Sequence, residues 1–115
     1  MKITADTLLK AGYRRYENPT RDGDWNQWLF QKRVRDEQGT RYFIDVQEYD
    51  WSRYPQRRGD RFTYEASVHY YVDDGLPTCV MTCQDDAAMA SIESLEAFFS
   101  RAWTRLELGH YEVEL

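Results

Sequence analysis

Trp51, Arg53, Tyr54, Arg57, Arg58 and Arg61 place four arginines and two aromatic residues within eleven positions, the most basic stretch of the chain. A guanidinium is planar, permanently charged and donates in a fixed fork, so it grips carboxylates or phosphates and stacks on rings. Trp and Tyr add flat apolar area with one polar handle each. Such a mixture can stack on bases and hold phosphates. It can equally form the hot spots of a protein interface, where Trp, Tyr and Arg are enriched. The plainer alternative is a solvated loop whose arginines pair with Asp50 and Asp60, since exposed pairs contribute little. Aromatic residues make up 16% of the chain, more than one small core requires, and that favours an interaction surface.

Other chemistries find less support. Cys79 and Cys83 on a strand would share one face about 13 Å apart, too far for a disulfide. Two reduced, part-buried thiols are expected. A zinc site needs four ligands, and beyond these cysteines only His69 and His110 exist, so no metal site is expected. His69 falls on the polar face of a strand and His110 just past a helix end, and nothing local supports the constellation of a Ser or Cys nucleophile with an orienting carboxylate beside either. Asp45, Glu48 and Asp50 cluster at one strand end, while Asp73, Asp74, Asp85 and Asp86 sit in connectors. Paired carboxylates can transfer protons, but acidic turns are commonplace. There is no glycine-rich phosphate loop. Neither catalytic residues nor a cofactor are expected, and the chain reads as no enzyme.

These residues need a scaffold. Thr4 caps a short helix that Gly12 ends, and residues 13–17 form a short strand before Asn18-Pro19. Residues 28–36 and 40–49 alternate with the period of half-buried strands, Trp28, Phe30 and Val34 sharing one face and Tyr42, Ile44 and Val46 another. A three-residue loop ending in Gly39 puts Val34 opposite Tyr42 and Phe30 opposite Val46. Lys32 then falls opposite Ile44 on the apolar face, either near the sheet's rim with its head in water or meeting a carboxylate such as Glu48.

From Phe62 to Val72 the alternation is unbroken, and Thr78 to Thr82 forms a partner strand. Ser91 caps the main helix, whose stripe is Ile92, Leu95, Phe99, Ala102, Trp103 and Leu106, and Gly109 closes it. Tyr111, Val113 and Leu115 alternate as a short final strand. The fold class is α+β, an antiparallel sheet of four to six strands with a long C-terminal helix on one face and a short N-terminal helix.

The chain has 115 residues, which predicts one domain spanning 1–115. No apolar run exceeds the four residues Ala87 to Ala90, far short of a membrane span, and no signal peptide is expected at the start. Charge is segregated. Residues 1–61 hold 13 Lys/Arg and 10 Asp/Glu, net +3; the rest hold 2 and 10, net −8, together the −5 of the chain. Nucleic acid could therefore be bound only through the basic loop, while the acidic half could face a basic partner.

The segments ITADTLLKAGYRRYENP, LFQKRVRDEQGTRYFIDVQEYD and SIESLEAFFSRAWTRLELGHYE resemble small α+β proteins encoded by phages and prophages. That resemblance implies a compact accessory protein, with anti-CRISPR and other inhibitors of host defence as one class. The expected function is non-enzymatic binding that occludes a host protein complex in the cytoplasm, by a monomer or homodimer. The alternative is a small-ligand or nucleotide-binding protein with an Arg/aromatic pocket.

Overall fold

Thr4 begins the first element. Its hydroxyl accepts the Thr7 amide at 3.1 Å, and the Thr7 hydroxyl accepts the Thr4 amide at 2.9 Å. This reciprocal cap satisfies two orphan amides of helix α1 (Ala5–Lys10), with Thr7 standing where a Glu usually would. Gly12, at φ +96°, turns the chain out of the helix in a region that L side chains rarely adopt. The structure, a computed structural model, describes residues 1–18, 24–37, 40–72 and 78–102.

Five strands follow: β1 (Arg14–Glu17), β2 (Trp28–Glu37), β3 (Thr40–Asp50), β4 (Phe62–Val72) and β5 (Thr78–Cys83). They form one antiparallel sheet in which each strand lies beside the next in sequence. Two helices accompany it, so the class is α+β. Helix α2 is described over residues 92–102. Ser91 and Ser94 cap its start as Thr4 and Thr7 cap α1, each hydroxyl accepting the other's amide at 3.0–3.1 Å. Trp103, Leu106, Gly109 and the expected strand at 111–115 lie outside the described residues, so a long C-terminal helix is not part of the described fold. No described helix is long and apolar enough to cross a membrane.

The inner face of the sheet supplies Phe30, Ile44, Val46, Ala66, Val68 and Cys83 to a core completed by Ile3, Leu8, Tyr13, Ile92, Leu95 and Phe99. Leu8, Phe30 and Leu95 are wholly buried, each contributing about 1.5–3 kcal/mol by leaving water. The alternation read from β3 and β4 thus assigns the inner residues correctly.

Two bulges depart from the expected register. Phe30 does face Val46 and Lys32 faces Ile44, but beyond Arg33 the pairing shifts and Arg35, not Val34, lies opposite Tyr42. The ladder continues to Glu37 opposite Thr40, leaving two residues between the strands rather than three. The odd residue is absorbed in β2 instead of in the turn, and Val34 is left 46% exposed. The second bulge inserts Val80 between Met81, opposite Val68, and Cys79, opposite His69. Val80 and Met81 both reach the core as a result. It also separates the cysteines, which do not share a face: Cys79 is exposed on the outer side and Cys83 buried on the inner.

Lys32 does meet a carboxylate, but it is Glu96 rather than Glu48. Its Nζ lies 2.9 Å from Glu96 Oε1 on α2 and 5.4 Å from the Tyr13 ring. The Tyr13 hydroxyl donates to the same Glu96 oxygen at 3.1 Å. Glu48 instead accepts from the Tyr64 hydroxyl at 2.8 Å.

Candidate functional site

The connection from β3 to β4 carries the residues singled out from the sequence. The last ladder pair is Asp50 with Phe62, after which the Trp51 amide donates to the Arg61 carbonyl at 2.8 Å and narrows the neck. Two successive turns follow, Tyr54 N to Trp51 O at 2.9 Å and Arg57 N to Tyr54 O at 3.0 Å. Gly59, at φ +112°, supplies the left-handed residue that turns the chain back, and Arg57 Nη1 donates to the Asp60 carbonyl at 3.1 Å.

Three of the six candidates meet at the Trp51 ring. The Arg57 guanidinium lies 4.5 Å from the ring centroid, and Tyr54 approaches edge-on at 5.9 Å. Tyr54 is half exposed, Arg53 and Arg58 are exposed, and Arg53 lines a cleft with Trp25. Arg61 turns away from them. It donates through Nε and Nη2 to the two Asp50 oxygens at 3.0 and 3.1 Å and covers Phe62. Those hydrogen bonds hold the Asp50 carboxyl down to about 2 and raise Arg61 further. Arg61 therefore clamps the loop's neck, and Arg53, Arg57 and Arg58 form its outward basic side.

Two residues outside the loop complete the arrangement. Tyr49 alternates with the inner-facing Val46 and Glu48 and so points to the outer face, while Trp25 belongs to the 3-10 turn Asp24–Asn26. Trp25, Tyr49 and Trp51 lie 5.7–5.8 Å apart, every pair of planes within 20° of parallel. Each ring is anchored. Trp51 Nε1 donates to Thr63 Oγ1 at 2.7 Å, and the Tyr49 hydroxyl donates to Glu65 at 2.9 Å. The Trp25 turn is held by a buried relay in which Asn18 Nδ2 donates to Asn26 Oδ1 at 3.0 Å and Asn26 Nδ2 to Gln47 Oε1 at 3.4 Å. Trp25, Gln27, Asp50, Ser52 and Arg53 line an open cleft of about 430 Å³.

Sequence reasoning missed Trp25 and Tyr49. Tyr49 carried a usable signal, an aromatic ring at a position whose parity points outward. Trp25 carried none, because the Asn18–Asn26–Gln47 relay that seats it has no periodicity.

The catalytic alternatives resolve differently. Ser67, His69 and Asp45 do come together on the outer face, contrary to the reading that His69 lacks such neighbours. Their geometry is not a relay: Ser67 Oγ at 3.2 Å and Asp45 Oδ2 at 3.0 Å both approach His69 Nδ1. A serine nucleophile needs the nitrogen opposite the one its carboxylate orients. Asp45 also accepts from Gln31 Nε2 at 2.8 Å, and Gln31 donates to the Tyr71 hydroxyl at 3.0 Å. The cluster thereby satisfies a nearly buried carboxylate on an open sheet face. Asp45, Glu48 and Asp50 each have a separate donor, and the first two lie on opposite faces, so they do not make a working pair. Asp85 caps the amides of Ala87 and Ala88. His110, Asp73 and Asp74 lie outside the described residues. Among the described residues, no three His, Cys, Asp or Glu side chains converge as metal ligands. No family model, curated protein or solved structure matches the chain.

Proposed function

We propose that the chain is a non-enzymatic binding protein whose working surface is the Trp51–Arg61 loop, and that its partner is a host protein complex that it inhibits or modulates by occlusion. The carrying observation is the cluster of Trp51, Tyr54 and Arg57 on a loop with a clamped neck: an edge-on ring contact and a guanidinium over the indole, with Tyr54 half exposed. Trp, Tyr and Arg dominate binding energy in interfaces, and side chains already held in place lose little freedom on docking. The sequence resemblance to phage and prophage proteins supports an anti-defence role, such as that of an anti-CRISPR protein, in the host cytoplasm.

Affinity purification from bacterial lysate tests this reading. The parent chain is expected to recover a stoichiometric protein partner, and Arg57→Ala with Arg58→Ala to weaken recovery while leaving folding intact, most visibly at low salt. Recovery of no stoichiometric partner, or equal recovery by the variant, would contradict it.

A further inference from the structure

We propose a second binding activity: the Trp25–Tyr49–Trp51 platform takes single-stranded nucleic acid, its bases stacking on the rings and its phosphates meeting Arg53, Arg57 and Arg58. This goes beyond the protein-partner reading and does not depend on it: it shares Trp51, Arg53, Arg57 and Arg58 with that surface but adds Trp25 and Tyr49 from outside the loop. Three aromatic rings with planes within 20° of one another are more than a hydrophobic patch requires. Near-parallel rings on the open side of a sheet suit flat, unpaired bases, whose faces stack without regard to sequence. The buried side chains of α1 and α2 belong to the core against the opposite face, which leaves these rings half-buried rather than covered.

Charge selects the occupant. The Asp50 carboxylate, the acidic group in the cleft wall, is engaged by Arg61, so it opposes an incoming phosphate less. Arg53 lines that same cleft, Arg57 lies over Trp51, and Arg58 is exposed with no ion pair among the described residues. Gln27 and Ser52 add hydrogen-bonding groups beside Trp25 for a base edge. A duplex hides its base faces. A polymer engages several rings and several arginines at once, which a mononucleotide does not.

The test titrates the full chain into a labelled oligothymidylate of about 15 nucleotides and an oligouridylate of equal length, followed by anisotropy. Saturable binding to at least one is expected, with log K falling against log salt at a slope of about −2 for three phosphate contacts. Arg53→Glu with Arg57→Glu is expected to weaken binding about tenfold or more, and Trp25→Ala and Tyr49→Ala similarly, by loss of stacking. Lys10→Glu with Arg101→Glu, the same charge change on the two helices, should leave it unaltered. If circular dichroism shows that Trp25→Ala does not fold, the arginine pair decides. The proposal is overturned by no binding up to about 100 μM protein at low salt, where phosphate contacts are strongest. It is also overturned by binding that survives the arginine exchanges, or by thymidine monophosphate or a duplex binding as tightly as the strand. A chain that binds no strand yet still captures its protein partner would overturn this inference alone.

Discussion

For Lys32 the need for water or a carboxylate was legible in the sequence, but not which carboxylate. Its place opposite Ile44 followed from strand parity, yet its partner, Glu96, lies 64 positions away on another element. Contacts of that span leave no local trace. Glu96→Gln is expected to cost about 1–3 kcal/mol in urea unfolding, since Lys32 and the Tyr13 hydroxyl lose their shared carboxylate in a part-buried site; an unchanged midpoint would remove the triad from the energetics.

Burial, with Glu96 and Glu48 as neighbours, raises the Tyr13 and Tyr64 phenols above their ordinary 10.0. A raised folded value favours the neutral form, so this stability is full below about pH 10 and is lost as pH climbs towards the folded values. Asp50 runs the other way. Held at about 2 against an ordinary 3.8, it contributes above pH 4 and loses its contribution between 4 and 2. Asp50→Asn should therefore flatten the fall in unfolding free energy across that interval, by under about 1 kcal/mol because the pair is exposed to solvent. A variant as acid-sensitive as the parent would deny the clamp.

Among the elements, β2 separates the readable from the unreadable. Alternation placed Phe30 inside and opposite Val46, and both are wholly buried. The same alternation carried Val34 inward, where the bulge after Arg33 leaves it 46% exposed. A bulge adds one residue of any kind, so period-two reasoning cannot see where it falls. Phe30→Ala is thus expected to cost about 3–5 kcal/mol and Val34→Ala within about 0.5 kcal/mol. Equal losses in chemical denaturation would restore the register with a three-residue loop. The caps were easier. Thr4, Gly12 and Ser91 announce helix ends by residue type, and Ser91→Ala should cost about 1 kcal/mol, read as a lower thermal midpoint.

At the scale of the molecule, the sheet's two faces divide the labour. The inner face joins α1 and α2 in the core, and the outer face carries polar clusters, three stacked rings and the basic loop. Residue types alone mark the loop's share of the candidate site, because arginines and aromatics crowd into a few consecutive positions. The share of Trp25 and Tyr49 depends on where a turn and a strand end meet in space, which composition does not encode. The positive excess of residues 1–61 includes Arg53 and Arg57 beside the rings, despite a net −5 for the whole chain.

Hydrogen–deuterium exchange of the chain alone and with its captured partner tests most directly whether this outer surface is the working one. Protection concentrated on residues 24–27 and 47–63, with α1 and α2 unchanged, is the expected footprint. Protection confined to residues 78–102 or to α1, with the Trp51–Arg61 loop exchanging as freely as before, would contradict it.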